Sequence, residues 1–182
     1  MELQELKQKC LAAIDANAEK IIGLGQELYK TPELGYKEFQ TQKSVEEAFE
    51  GAGFEVEKNL AYTGCRAHIS KKEGPTVGVI GELHCIMCSD HPDSRDGGNV
   101  HACGHNVQLA NLYGCALGLK ESGVLDMLDG NVEFLAVPAE ECVDYDYRNG
   151  LIRQGEIQFY GGKQELVRRG TLDGTDLFLQ CH

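Results

Sequence analysis

The sequence is short of positive charge. Its 182 residues carry 17 Lys and Arg against 29 Asp and Glu, a formal net charge of −12. Lys and Arg nowhere cluster into a surface able to neutralise phosphates, which excludes nucleic acid and an anionic membrane as partners. Long hydrophobic runs are lacking too: no stretch approaches the roughly 20 apolar residues that span a bilayer. The N-terminus, MELQELKQKCLAAIDANAEK, is amphipathic and charged throughout, without the apolar core and small-residue cleavage site of an export signal. These absences predict a cytoplasmic protein. Repeats and low-complexity segments are missing as well. What remains, 42% hydrophobic and 25% charged residues, suffices for one globular core.

Eight cysteines stand at positions 10, 65, 85, 88, 103, 115, 142 and 181. In a reducing compartment, Cys/His clusters are metal-binding or catalytic more often than disulfide-forming. Cys85-Ile-Met-Cys88 has the C-x-x-C spacing of a redox dithiol or half a zinc knuckle, with no second pair to match it. Cys10, Cys65, Cys115 and Cys142 read as small core hydrophobes.

Apolar residues spaced three and four apart, from Leu6 to Leu28, predict one helix or two stacked pieces, broken at Thr31-Pro32-Glu33. A further helix runs through Ser44, Val45, Ala48 and Phe49 to a glycine cap at Gly51-Ala52-Gly53. Strand character starts at Phe54 to Glu57. Cys65 to Ile69 and Thr76 to Leu83 read as a hairpin joined by the turn Lys71 to Pro75. Met87 to Val100 reads as a loop, followed by an apolar helix through Leu109, Leu112, Cys115, Ala116 and Leu119. The strand Asn131 to Val137, short helices over Tyr147 to Arg153 and Lys163 to Arg169, and the strand Leu177 to Cys181 complete an α/β pattern with parallel neighbours.

Ligands in such sheets bind beyond the carboxyl ends of the strands. Three clusters fall there: Glu82-Leu83-His84, Pro138-Ala139-Glu140-Glu141 and Cys181-His182. A fourth, His101-Ala102-Cys103-Gly104-His105-Asn106, enters the central helix. Thiolate, imidazole and carboxylate together suit Zn²⁺ and admit Mn²⁺ or Fe²⁺. Cys103 and His105 flank a glycine, a spacing that aims both at one point from a tight turn; the plainer reading is a buried cysteine beside a capping histidine. A turn after Pro138 would turn one glutamate to a metal and the other to a water, whose proton it takes and returns; alone, the pair reads as solvated. A terminal His182 alone means little. Gly161-Gly162-Lys163 lacks the strand and spacing of a phosphate loop.

Together the four stretches resemble the dinuclear-metal amidohydrolases of the aminoacylase and carboxypeptidase G type. Within them they are most similar to the cysteine-bearing branch, which includes indole-acetyl-amino-acid hydrolases and aminobenzoyl-glutamate hydrolases. HACGHN and VPAEE, in this order after an acidic strand end, carry the resemblance, which runs from ELYKTPELGYKEFQT to the last residue. It implies a zinc-exopeptidase-like three-layer α/β sandwich with a mostly parallel mixed sheet. Cys103, His105, Glu141 and His182 would be metal ligands and Glu140 the general base. Two divalent ions, Zn or Mn, would serve hydrolysis of an N-acyl or N-aroyl amino acid, a small-molecule substrate. YR and GGKQE beyond Glu141 look most like the aminobenzoyl-glutamate subgroup.

Two positions depart from that pattern. His84 stands where the family carries Asp, and loss of such an orienting carboxylate typically costs about 10–100-fold in metal affinity or activity. Asn106 stands where the wider family has Asp. Residues 1–182 would be the N-terminal part of the catalytic domain, without the lid and dimerisation domain or the remainder of the chain. The edge thus left bare predicts association into a homo-oligomer. The competing expectation is a catalytically inactive truncated homologue acting as a metal- or partner-binding fragment.

Overall fold

A computed structural model describes residues 2–69 and 72–182. Two helices, α1 (Leu3–Ala16) and α2 (Ala18–Lys30), are separated at Asn17, whose side-chain amide donates to the Ala13 carbonyl. After α3 (Phe39–Gly51), Gly53 takes the left-handed conformation (φ 78°), and the Gly53 and Phe54 N–H groups close on the Glu50 and Phe49 carbonyls. Strands β1 (Glu55–Leu60), β2 (Gly64–His68) and β3 (Thr76–Glu82) follow. The segment expected to be a plain loop holds a two-residue ladder between β4 (Ile86–Met87) and β5 (Asn99–Val100). Helices α4 (His105–Glu121) and α5 (Val124–Met127), strand β6 (Asn131–Val137), helices α6 (Tyr145–Gln154) and α7 (Gly162–Arg168), and strand β7 (Leu177–Gln180) complete the order.

Among the described residues the main sheet has five strands, in the order β1-β2-β6-β3-β7. The expected hairpin between residues 65–69 and 76–83 does not form, and its turn at Lys71 lies outside the described residues. Strand β6 inserts between the two, antiparallel to β2 and parallel to β3; the hairpin that does form joins β1 and β2. The physical reason is burial. NVEFLAV sends Val132, Phe134 and Ala136 to one core and Leu135 and Val137 to the other, so it needs cover on both faces and a partner on both edges. On one face lie α2, α3 and α4, packed through Leu28, Phe49, Leu109 and Leu117. On the other, Leu166 of α7 meets Leu135 and Val137. This is the expected three-layer arrangement of a mixed, mostly parallel sheet. Strands β3, β6 and β7 are parallel, so their carboxyl ends, with the motifs that follow, emerge together. Among the described residues no helix is long and apolar enough to cross a membrane.

Candidate metal centre

Beyond those three strand ends, two groups of donor atoms converge. One comprises Cys103, His105 and Glu141, the other Glu82, His105, Glu140 and His182; within each group the donor atoms lie within 4.8 Å of one another. All five residues singled out from the sequence are therefore brought together. Glu82 joins them; its sequence signal was a lone acid closing the apolar run Val77-Gly-Val-Ile-Gly, which reads equally well as a strand boundary.

Gly104, at φ 85°, lets the chain turn between Cys103 and His105 as it enters α4. The Cys103 thiol donates to Glu141 Oε1 at 2.8 Å. Partial burial, then that hydrogen bond and the nearby carboxylates, push the thiol up to about 11, so a cation bound there must expel its proton. His105 Nδ1–H donates to the His84 carbonyl at 2.8 Å, which leaves Nε2 as the free lone pair. That nitrogen faces Glu82 Oε2 at 3.1 Å and His182 Nε2 at 3.3 Å. Without a cation, a proton on Nε2 can take its place: burial, the largest single effect, lowers the His105 pKa, but the Glu82 carboxylate, the bond to the His84 carbonyl and the Glu141 charge together outweigh it and raise it overall.

Glu82 is wholly buried. Its Oε1 accepts from Lys163 Nζ at 2.5 Å and Gln180 Nε2 at 2.7 Å, whereas Oε2 has no hydrogen-bond donor. Burial pushes its pKa up, yet the close approach of the His105 ring and the hydrogen bonds from Lys163 and Gln180 outweigh it and hold the carboxyl at about 2. Gln108 ties the strand ends together, accepting from the Glu82 N–H at 2.8 Å and donating to the Cys181 carbonyl at 2.9 Å.

The Pro138 to Glu141 turn is gripped on all sides. Ala139 adopts φ 50°, rare for a residue with a Cβ. Its N–H donates to Glu38 Oε1 at 2.8 Å and its carbonyl accepts from the Gly162 N–H at 3.1 Å. Arg148, fully buried, donates to the Glu141 carbonyl at 2.6 Å. His84 supplies the remaining hold: its Nε2 accepts from the Glu141 N–H at 3.0 Å, and the Glu140 N–H lies 3.4 Å from Nδ1. A neutral ring accepts at one nitrogen only, and the shorter contact takes it. Burial, then the His105 charge, lower the His84 pKa to about 3, so the ring stays neutral. His84 therefore supports both donor-bearing stretches, the Glu141 turn through its ring and His105 through its backbone carbonyl.

Other expectations divide. Asn106 points away from the centre and donates to the Gly25 carbonyl at 3.1 Å, tying α4 to α2. His101 is buried with neither ring nitrogen hydrogen-bonded, and stands outside both donor groups. Cys85 is buried, and that burial pushes its thiol up to about 12, opposite to what a redox dithiol requires. Cys65 is a core residue as expected, whereas Cys142 is exposed and does not fill the core. The donor chemistry fits divalent ions: a thiol, imidazoles and carboxylates form two donor groups that meet at His105, and a buried carboxylate oxygen lacks a donor.

Donors at the carboxyl ends of a parallel sheet are the arrangement that the sequence resemblance to dinuclear-metal amidohydrolases implies. Relatives and structural neighbours of the chain are M20 family enzymes of this class, and they match about 90% of it. No protein-family model matches the chain. It is 27% identical over 169 residues to the N-acetyl-L-cysteine deacetylase of Bacillus subtilis, covering 90% of this chain and 36% of that protein. It is 25% identical over 188 residues to one component of the p-aminobenzoyl-glutamate hydrolase of Escherichia coli, covering 99% and 36%. Among solved structures, a putative aminohydrolase from methicillin-resistant Staphylococcus aureus superposes with TM-score 0.73 at 26% identity, over 94% of this chain and 41% of that one. The Bacillus subtilis YXEP protein, a dinuclear metal binding peptidase of the M20 family, gives 0.69 at 24%, over 90% and 42%. The chain thus spans well under half the length of the proteins it matches.

Proposed function

We propose that this chain forms the metal-holding part of an amidohydrolase that cleaves the amide bond of N-acyl or N-aroyl amino acids, aminobenzoyl-glutamate among them. The observation that carries the reading is the convergence of Cys103, His105, Glu140, Glu141 and His182 beyond the parallel strand ends. Bound there, two divalent ions, Zn²⁺ or Mn²⁺, would polarise the scissile carbonyl and acidify a water. Cys103, His105, Glu141 and His182 hold them. Glu140, whose side chain has no hydrogen-bond partner among the described residues, acts as general base: it takes the proton of the attacking water and returns it to the leaving amine. His84, Arg148 and Glu38 fix the backbone from which the two glutamates project, so base and ligand keep their separate directions.

The test is turnover of N-acetyl amino acids and p-aminobenzoyl-glutamate by the metal-loaded chain, beside its Glu140→Gln variant. The expected result is a loss of about 10²–10⁴-fold in the variant with metal content, by elemental analysis, unchanged. A wild-type chain that retains neither Zn nor Mn overturns the metal centre. Retained metal without hydrolysis favours the non-enzymatic, metal-binding reading.

A further inference from the structure

We infer that Glu82, which lies outside the ligand set implied by the sequence resemblance, itself binds the divalent ion together with His105 and His182, so that the chain holds one three-donor position without its thiol. The inference rests on the proposed metal centre and adds to it a ligand and an order of filling.

The first argument is geometric. A tetrahedral ion bound to imidazole nitrogen and carboxylate oxygen at 2.0–2.1 Å separates its ligand atoms by about 3.3–3.4 Å. The three atoms here form a triangle of that size: His105 Nε2 to Glu82 Oε2 is 3.1 Å, His105 Nε2 to His182 Nε2 is 3.3 Å, and His182 Nε2 to Glu82 Oε2 is 3.4 Å. Glu140 also lies within reach of all three.

The second argument concerns protons. His105 Nδ1 spends its hydrogen on the His84 carbonyl, so in the neutral ring Nε2 offers a lone pair toward a carboxylate oxygen. With His105 in that tautomer, two electron-pair donors, its Nε2 and the buried Glu82 Oε2, face each other at 3.1 Å and repel unless a proton or a cation lies between them, and the exposed His182 Nε2 stands beside both. Lys163 is not that charge, because it and Gln180 engage only Oε1. They pin the carboxylate and leave Oε2, fully buried and without a donor, directed at the two imidazoles.

The third argument is one of allocation. A single imidazole nitrogen binds a single ion, so His105 cannot complete both donor groups. Its shortest contacts assign it to Glu82 and His182. Cys103 and Glu141, hydrogen-bonded to each other at 2.8 Å, are left as two donors of a second position, one fewer than the first.

Cobalt(II) titration of the full chain tests this, because thiolate ligation adds a near-ultraviolet charge-transfer band that imidazole and carboxylate do not. The first equivalent should give visible ligand-field absorption without the thiolate band, and the second should bring the band in. Cys103→Ser should keep the first equivalent and lose the band. Glu82→Gln should lose the first equivalent. If Glu82→Gln is unfolded by circular dichroism, Glu82→Asp, which keeps the charge beside Lys163 but draws Oε2 back by one methylene, should weaken it. In the wild-type protein, a thiolate band rising from the first addition overturns the inference. So does wild-type affinity in a folded Glu82→Gln or Glu82→Asp. A wild-type chain that binds no cobalt sinks the metal centre itself, a different failure from a chain that binds it equally well without Glu82.

Discussion

On the sheet face covered by α2, α3 and α4, Phe49, Phe54, Tyr113 and Phe134 interlock with ring centroids 5.5 to 5.9 Å apart, among aliphatic residues of the same core. Around α6 and α7 the largest fully buried side chain is Arg148, accompanied by the buried carboxylates Glu38 and Glu165. Glu165 accepts from Arg168, Arg169 and two backbone N–H groups. Burial raises its pKa, but these bonds outweigh it and hold the carboxyl at about 2. The first region gains its stability from non-directional burial, which tolerates repacking. The second is directional: Arg148 and Glu38 bond to named backbone atoms of the Pro138 to Glu141 turn, and they fix that turn at a desolvation cost.

The comparison breaks if core and network variants behave alike. Phe134→Ala should cost about 3–5 kcal/mol in urea unfolding and leave cobalt affinity unchanged in the folded protein. Arg148→Met, which strands the Glu141 and Tyr160 carbonyls, should cost about 2–5 kcal/mol and also weaken cobalt binding about 10–100-fold. Equal effects on affinity would erase the distinction.

Next in size is a pH effect confined to the polar side. Burial, only partly offset by hydrogen bonds from Thr63 and Ala139, raises Glu38 to about 7, above its ordinary value of 4.5. The folded state therefore holds this proton more tightly than the unfolded chain does. Its contribution is fully present below about pH 4.5 and is lost as pH rises to about 7. Relative to Glu38→Gln, the wild type should lose about 3 kcal/mol of unfolding free energy across that window. Parallel curves would remove Glu38 from the account.

His84→Ala should lower metal affinity about 10–100-fold by freeing the Glu141 N–H and the turn it anchors, measured by competition with a chelating dye. Smallest is the control. Lys43→Ala on the exposed face of α3 removes a 3.7 Å pair with Glu47 and should change stability by less than about 0.5 kcal/mol.

The apolar side was far more legible in the sequence than the polar side. Helical spacing marked α2 and α4, and the apolar run marked β6, because burial writes a period into the chain. The partner of β2 was not legible. A short polar connection suggests a hairpin wherever it occurs, and nothing local records that a strand some sixty residues later fits better between β2 and β3. The five site residues were visible because metal donors have distinctive chemistry and spacing. Glu38 and Arg148 were not, since charged side chains are ordinarily solvated and only the assembled fold reveals which are enclosed; Glu82 was visible as part of a strand-end cluster but not as a donor in its own right. His84 was visible as a departure; what it holds required coordinates.

The sheet's two rims are unlike. Strand β1 ends it with Glu55, Glu57 and Lys58, whereas β7 ends it with Leu177 and Leu179, both more than half exposed. Charges on a bare strand discourage pairing with another chain; leucines invite it. The net charge of −12 opposes close approach of copies at long range, whatever surface they would meet by. Salt weakens that opposition, because the screening length shrinks to about 3 Å near 1 M, and the rim beside His182 becomes the place where crowding would first be felt.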